Sequence, residues 1–274
     1  MIFISKTGIW CLSGRMPKST SENYEPILLY IYVVYGVQVS YYLNKLDSMY
    51  QMTCYSSTIT KELSMLISLI RHGDPDYAND TLTSKGHKEA RKLAKFLANK
   101  PIDAIFQSPK GRAKDTCRYT ADRKGIEPVT LDWLSEEPIK RGDLYLWNAP
   151  GAVFLSSPQL PTYDSCLELD GEMPEGKQQF ERVSKGFDEV MASFGYVKTE
   201  HLYFIEKANN KNIVFFCHHG VIVTLLSYLL HWALPLIFVH STVSPTGLTM
   251  IDMAETGRLA QPKMIAFNSL SHLL

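Results

Sequence analysis

The most informative stretch of the sequence is a short apolar run that ends in an arginine and a histidine. Residues 66–70 (LISLI) contain four apolar residues out of five, and the Arg71-His72-Gly73 (RHG) motif and Asp74-Pro75 follow directly. This pattern predicts a buried strand that ends in a turn. Ligands of open α/β sheets bind beyond the carboxyl ends of the strands. The turn therefore places a cation and an imidazole where a ligand would bind.

Two further predicted strands end in residues of the same kind. The run Ile102–Gln107 leads into Ser108-Pro109-Lys110-Gly111-Arg112, and Asn212–Cys217 leads into His218-His219-Gly220. Guanidinium groups offer forked donors that match phosphate oxygens, and an imidazole can attack phosphorus. A transferring phosphoryl group carries charge on its peripheral oxygens, which preorganised cations stabilise. The three strand ends together predict a phosphoryl-handling site with His72 as its nucleophile.

Helical patterns lie between these strands. Thr83 can cap a helix whose apolar stripe has i, i+3, i+4, i+7 spacing and consists of Ala90, Leu93, Ala94 and Leu97. Further helices are predicted at about 113–123, 180–194 and 221–231, the last apolar nearly all round and hence buried. Shorter strands are predicted at 129–131, 201–206, 248–253 and 264–267. This alternation of strands and helices predicts an α/β fold.

One long stretch does not follow the alternation. From about 138 to 176 the chain contains five prolines and no hydrophobic periodicity. Loops of this length inside compact domains are usually lids, binding loops or disordered segments. The aromatic residues Tyr145, Trp147 and Phe154 argue against plain disorder, so we expect this segment to determine substrate specificity.

Composition narrows the possible partners. The 274 residues contain 28 Lys plus Arg and 28 Asp plus Glu, so no overall electric field would gather nucleic acid or an acidic membrane. The five cysteines are scattered without CxxC spacing, which predicts neither a disulfide framework nor a zinc site. The sequence shows no convincing secretory signal. A cytoplasmic protein without a nucleic-acid partner is expected.

The first part of the chain differs in composition from the rest. Residues 27–43 form a run of 17 residues without a charge. Three interpretations remain open: a membrane span or anchor, a buried hairpin or extension packed on the domain, and a segment outside the working unit. The many β-forming residues disfavour a span. The predicted organisation is an N-terminal extension of unknown role at 1–62 and a catalytic domain at 63–274.

Four blocks in order resemble the histidine phosphatase superfamily, also called the phosphoglycerate mutase-like family. The resemblance covers about residues 65–273 and is closest to small bacterial phosphatase-type members. It rests on Leu69-Ile70-Arg71-His72-Gly73, on Ser108-Pro109-Lys110-Gly111-Arg112-Ala113 with Thr116, on Leu134-Ser135-Glu136, and on Phe216-Cys217-His218-His219-Gly220-Val221. It implies a three-layer α/β/α sandwich around a mostly parallel central sheet, with no metal and no cofactor.

The resemblance also implies a role for each matching residue. The family's nucleophile falls on His72, and its phosphate-binding arginines fall on Arg71 and Arg112. Its acid falls on Glu136, with the adjacent Glu137 as the alternative. Its second histidine, matched through the Val-Ile pair that follows it, falls on His218 rather than His219, and it would be protonated while it holds the phosphoryl oxygens.

These residues predict a metal-independent phosphomonoester hydrolase that acts through a phosphohistidine on a small phosphorylated metabolite. Two alternatives stay open: phosphoryl transfer of the phosphoglycerate mutase type, and a non-catalytic phosphate-binding protein that associates with membranes through residues 27–43. The sequence departs from the family at Asp74-Pro75, where a polar residue followed by Thr or Ser is common. We expect this pair to shape the substrate side. The sequence predicts neither the substrate nor the oligomeric state.

Overall fold

The computed structural model describes the backbone of residues 2–5, 8–11, 29–34, 37–46, 49–57, 64–141, 143–146, 150–168 and 174–274. The chain divides into two compact units, Met1–Lys61 and Glu62–Leu274. The described strands of the first unit are β1 (Ile2–Ser5), β2 (Gly8–Cys11), β3 (Leu29–Val34), β4 (Val37–Leu46) and β5 (Met49–Ser57).

The uncharged run of the first unit falls on strands. β1 and β2 form one antiparallel pair, and β3, β4 and β5 form an antiparallel three-stranded sheet. Most of residues 27–43 therefore lies in the β3–β4 pair, while residues 27, 28, 35 and 36 lie outside the described part of the chain. Among the helices that the structure describes, none combines the length and the hydropathy of a membrane-spanning segment.

The second unit alternates strands and helices, as predicted. Its strands are β6 (Leu66–Arg71), β7 (Pro75–Asp76), β8 (Thr81–Leu82), β9 (Ala104–Gln107), β10 (Val129–Thr130), β11 (Lys140–Arg141), β12 (Leu144–Tyr145), β13 (Tyr196–Lys198), β14 (Tyr203–Ile205), β15 (Asn212–Cys217), β16 (Leu248–Thr256) and β17 (Leu259–Ser269). Its helices are α1 (Ser84–Leu97), α2 (Gly111–Lys124), α3 (Ala152–Leu155), α4 (Tyr163–Glu168), α5 (Pro174–Ser193), α6 (His219–Leu230) and α7 (Leu234–His240).

The central sheet is mixed. Its strand order is β10-β9-β15-β6-β16-β17-β14-β13. The first four strands are parallel, and every pairing from β6 to β13 is antiparallel. The prediction of a mostly parallel sheet is therefore only partly right. Parallel neighbours need a long crossover, whereas Gly257 (φ +60°) and Arg258 join β16 to β17 as a short hairpin, which forces antiparallel pairing.

Helices cover both faces of the sheet, which confirms the α/β class and the layered arrangement. Side chains alternate along each strand, so Leu69 and Phe215 belong to one hydrophobic cluster and Ile70 and Phe216 to the other. The first cluster includes residues of α5 and α6, and the second includes residues of α1 and α2. β6 has hydrogen-bonded neighbours on both sides and four buried residues, so the chain that follows it leaves from the middle of the sheet.

The segment 138–176 contains more regular structure than its sequence predicts. β11 and β12 pair as a two-stranded hairpin, α3 and α4 follow, and α5 begins at Pro174. Residues 142, 147–149 and 169–173 lie outside the described part of the chain. Elements of two to six residues are too short to produce a readable hydrophobic period, which explains why the sequence showed none. Trp147 falls in the undescribed part.

Candidate active site

His72 directly follows β6, at the carboxyl end of the central strand. Its backbone N–H donates to the carbonyl of Cys217 (3.0 Å), at the end of the parallel neighbour β15. Its carbonyl accepts from the N–H of Thr246 (3.1 Å), which also donates to the carbonyl of Arg71 (3.1 Å). The backbone of the RHG motif is therefore fixed from two sides. The His72 side chain is fully buried.

The hydrogen bonds of the His72 ring indicate its tautomer. Nδ1 lies 2.8 Å from the carbonyl oxygen of Gly73, which can only accept, so Nδ1 carries the proton. Nε2 is buried and finds no hydrogen-bond partner in the described part of the chain. Burial, together with the charges of Arg71 and Arg112, lowers the pKa of His72 to about 3. The ring is thus neutral at pH 7, with the lone pair of Nε2 free to act as a nucleophile.

Arg112 lies in the first turn of α2 and reaches the same pocket. Its Nη1 donates to Oδ1 of Asp80 (2.7 Å), and its Nη2 lies 3.6 Å from Oε2 of Glu136. Thr116, one turn further along α2, accepts from the N–H of Gly73 (2.9 Å) and donates to the carbonyl of Arg112 (2.8 Å). The threonine hydroxyl therefore ties the RHG turn to the helix that presents the second arginine.

Asp80 is part of the site, although the sequence did not single it out. It lies in the turn between β7 and β8 with a φ of +47°, and its Oδ2 accepts from the N–H of Gly111 (2.7 Å). A Cβ atom at position 111 would lie 2.1 Å from the carbonyl oxygen of Asp80, so only glycine fits there. The bonds from Gly111 and Arg112 outweigh burial and lower the pKa of the Asp80 carboxyl, which is ionised at pH 7. No local pattern marks such a residue, because its role depends on a contact between two distant turns.

The position of Glu136 distinguishes it from Glu137. Oε1 of Glu136 accepts from the N–H of Gly220 (2.8 Å), near the start of α6, and Oε2 faces Arg112 and His218. The side chain of Glu136 is 16% exposed, whereas that of Glu137 is 55% exposed and lies beside Lys110. The structure thus brings the first of the two candidate acids to the cluster and leaves the second at the surface.

His218 completes the cluster from the end of β15. Its ring centroid lies 5.2 Å from that of His72, its Nε2 is 2.8 Å from Oγ of Ser108, and its Nδ1 is 3.8 Å from Oε2 of Glu136. Burial, followed by the neighbouring positive charges, holds the pKa of His218 well below its ordinary value. The ring is therefore neutral at pH 7 as long as no anion lies beside it, and the protonated state expected of the phosphoryl-bound site stays a prediction. A bound phosphoryl dianion would raise this pKa and favour the protonated form.

Arg71 and His219 are linked through the backbone of Val243. Nη1 of Arg71 donates to the carbonyl of Val243 (2.6 Å), and the N–H of Val243 donates to Nδ1 of His219 (3.3 Å). Burial lowers the pKa of His219 to about 4. Its ring packs against Phe238 and supports the loop that holds Arg71. Of the two neighbouring histidines, only His218 approaches the ring of His72 among the contacts described.

The cluster could in principle hold a metal ion. Ligand atoms of His72, Glu136 and His218 all lie within 4.8 Å of one another, and no other such group occurs among the described residues. However, the guanidinium of Arg112 points at the carboxylate, and the charges of both arginines act on both histidines. Two fixed cations disfavour a third. The donor set therefore suits an anion, and its charges match a phosphate group better than a metal ion.

Comparison with known families agrees with this geometry. The sequence model of the histidine phosphatase superfamily (branch 1) matches residues 67–142, a segment that contains Arg71, His72, Arg112 and Glu136. The predicted resemblance to the histidine phosphatase superfamily is confirmed. His218 and the segment after residue 142 lie outside this match. Comparison with curated proteins gives no significant match.

Solved structures share the fold of this chain. A histidine-to-alanine variant of phosphoserine phosphatase from Entamoeba histolytica, in complex with phosphoserine, is 21% identical, with a TM-score of 0.54 over 77% of this chain and 100% of that one. The same enzyme in complex with 3-phosphoglyceric acid gives a TM-score of 0.53. Mycobacterial glucosyl-3-phosphoglycerate phosphatase is 17% identical, with a TM-score of 0.52 over 74% of this chain and 98% of that one. Identities this low establish the shared fold alone.

Proposed function

We propose that the protein is a metal-independent phosphomonoester hydrolase that acts through a phosphohistidine on His72. The observation that carries the proposal is the state of the His72 ring. It is buried and neutral, its Nδ1 is held by the Gly73 carbonyl, and its Nε2 has no partner among the described residues. A buried polar atom without a partner is costly, so a ligand that meets this lone pair explains why the arrangement is kept.

The first chemical step forms a bond between Nε2 of His72 and phosphorus and breaks the ester P–O bond. The carbonyl of Gly73 accepts from Nδ1–H and stabilises the positive charge that develops on the ring. Glu136 takes up a proton from solvent as the substrate binds and passes it to the departing alkoxide, a general-acid contribution of about 10²–10⁴-fold. Arg71, Arg112 and His218 hold the phosphoryl oxygens. In the second step Glu136 accepts a proton from the attacking water, the N–P bond breaks, and phosphate leaves.

The substrate that we propose is a small phosphorylated metabolite. The solved relatives act on, or were captured with, phosphoserine and 3-phosphoglyceric acid, and a further relative acts on a glucosyl-3-phosphoglycerate. These compounds, together with simple sugar phosphates, form a suitable first panel. The local cations at the pocket explain how a chain with balanced charge, 28 against 28, would select a phosphate group.

The test is hydrolysis of this panel by the purified full-length chain with and without EDTA. We expect turnover that EDTA leaves unchanged, and a loss of at least about a thousandfold for His72→Ala, since the covalent step disappears. His240→Ala, which removes an exposed histidine, is the matched control. Acid-labile phosphate on wild-type protein quenched during turnover, absent in His72→Ala, would support the intermediate. Loss of all activity in EDTA, or an active His72→Ala variant, would reject the proposal.

A further inference from the structure

An exposed aromatic side chain lies directly beside the proposed nucleophile. The Tyr77 ring makes an edge contact with the His72 ring at a centroid distance of 6.4 Å and an interplanar angle of 83°. Cζ of Arg112 lies 5.4 Å from the centroid of the same ring. Tyr77 is nevertheless 64% exposed. Ligand pockets are commonly lined by aromatic side chains beside a few placed polar groups, and a ring that adjoins both groups and still faces solvent is open to contact by a bound molecule.

The ring is held in place by the hairpin that carries it. β7 pairs with β8, and Oδ1 of Asp76 accepts from the N–H groups of Ala78 and Asn79 (3.1 and 3.3 Å), which fixes the turn. At the end of the turn Asp80 binds both Arg112 and the N–H of Gly111. The hairpin is therefore anchored to the phosphate-binding arginine, and Tyr77 keeps a defined position relative to the pocket.

The position of the acid indicates which part of a substrate would meet this ring. Glu136 protonates the leaving oxygen, so the alcohol group leaves on the side of the pocket where Arg112 approaches Glu136. Nη2 of Arg112 lies 3.6 Å from that carboxylate and its Cζ lies 5.4 Å from the Tyr77 ring centroid, so one side chain adjoins both groups. The attacking and leaving atoms of a phosphoryl transfer lie roughly in line through phosphorus, so the alcohol group extends away from the buried His72 ring toward solvent. The exposed Tyr77 ring lies on that open side, with its centroid 6.4 Å from that of His72.

We infer that Tyr77 is a specificity-determining residue that stacks on the alcohol group, and that the site prefers monoesters of ring-bearing alcohols over those of short open-chain alcohols. This inference rests on the proposed phosphatase function. The exposed aromatic face offers area for stacking but no charge, so it discriminates by the shape of the alcohol and not by the phosphate, which the arginines hold. Phosphate recognition itself is independent of the tyrosine.

Non-hydrolysable phosphonates test the inference without relying on turnover. Calorimetric titration compares phenylphosphonate with methylphosphonate, which share the anionic group and differ in the ring. We expect Tyr77→Ala to weaken phenylphosphonate binding about tenfold and methylphosphonate binding less than about twofold, since ring stacking is lost and the anion contacts remain. Tyr77→Phe keeps the ring and should retain the wild-type ratio of phenylphosphonate affinity to methylphosphonate affinity.

Tyr119→Ala is the matched control, because Tyr119 also lies beside arginines, Arg91 and Arg118, but packs against His87 of α1. An equal loss for both phosphonates in Tyr77→Ala would mean that the ring only positions Arg112, and it would overturn the inference. Unchanged affinities of Tyr77→Ala for both phosphonates would overturn the inference as well. Failure of the phosphatase proposal shows separately, as absence of hydrolysis with phosphonate binding intact.

Discussion

The two sides of the pocket are built differently. On the phosphoryl side, His72 and His218 are fully buried, stand at the ends of parallel neighbouring strands and are bonded to residues distant in sequence. On the substrate side, the β7–β8 hairpin presents Tyr77 from an exposed turn. Burial and cross-strand bonding give the phosphoryl side one geometry, whereas a surface turn tolerates substitution. Chemistry and specificity can therefore change independently, and the substitutions below test that separation.

Arg112→Ala should have the largest effect after loss of the nucleophile. It removes a donor aimed at the charge that develops on the phosphoryl group, which costs on the order of 3 kcal/mol, or about 100-fold in kcat. Since the phosphate is common to all substrates, kcat should fall by a similar factor for every member of a substrate panel. Steady-state kinetics measure it, with Arg118→Ala on the same helix as control, because the Arg118 side chain is 54% exposed. A loss that varies strongly between substrates would contradict the separation.

Ser108→Ala should lower kcat less than Arg112→Ala does, because the serine acts indirectly, through its hydrogen bond to His218. The serine hydroxyl is the partner of Nε2 of this histidine in the described structure, and Nδ1 has no hydrogen-bond partner there. Leaving Nε2 unpaired costs about 1–3 kcal/mol, and the ring loses its orientation toward the phosphoryl oxygens. We expect kcat to fall about tenfold with KM changed less. Ser108→Thr, which keeps the hydroxyl, should recover much of the activity, and an equally poor threonine variant would argue against this role.

The buried histidines should also make stability depend on pH. His72, His218 and His219 have pKa values lowered by burial, and on unfolding each regains an ordinary value near 6.5. Between about pH 6.5 and pH 4 the unfolded chain therefore binds more protons, so the free energy of unfolding falls as pH decreases. The slope is at most about 1.4 kcal/mol per pH unit for each histidine.

Denaturant titrations at pH 7, 6 and 5 measure this slope before most carboxylates titrate. His219→Gln, which removes one of these groups, should give a flatter dependence than the wild type, whereas His240→Ala, at an exposed position, should leave it unchanged. A free energy of unfolding that stays constant from pH 7 to pH 5 would show that these rings are not held neutral.

The smallest effect is expected where the sequence departs from the family. We predicted that Asp74-Pro75 shapes the substrate side, and this stays a prediction. Pro75 begins the β7–β8 hairpin. The Asp74 carboxylate accepts from the hydroxyl of Thr83 (2.6 Å), which itself caps α1 by accepting from the N–H of Gly86 (3.1 Å). Thr83→Ala should therefore cost about 1 kcal/mol of stability. Activity at 25 °C should stay near wild type. A changed substrate preference in Thr83→Ala would show that Asp74 also acts on the substrate side.

Much of the fold was readable from local patterns. β15 coincides with the predicted strand Asn212–Cys217, the Thr83 cap and the stripe of α1 are confirmed, and the helix at 221–231 is buried as expected. These elements are long or strongly apolar, so their hydrophobic pattern can be recognised even where single residues do not fit it. The two-residue strand β10 was predicted at 129–131. The elements that were missed are β7, β8, β11, β12, α3, α4 and α7, because elements of two to seven residues carry too little periodic signal.

The sequence by itself determined that arginine and histidine stand at three strand ends, because a strand that ends in a turn presents the residues that follow it at the sheet edge. Only the tertiary structure distinguished Glu136 from Glu137, brought Asp80 to Arg112, and assigned the tautomer of His72. Each of these depends on a partner at least 30 residues away or on a carbonyl whose direction the fold decides. Neighbouring residues of the same type look alike in sequence, and burial and hydrogen-bond partners separate them only after the chain has folded.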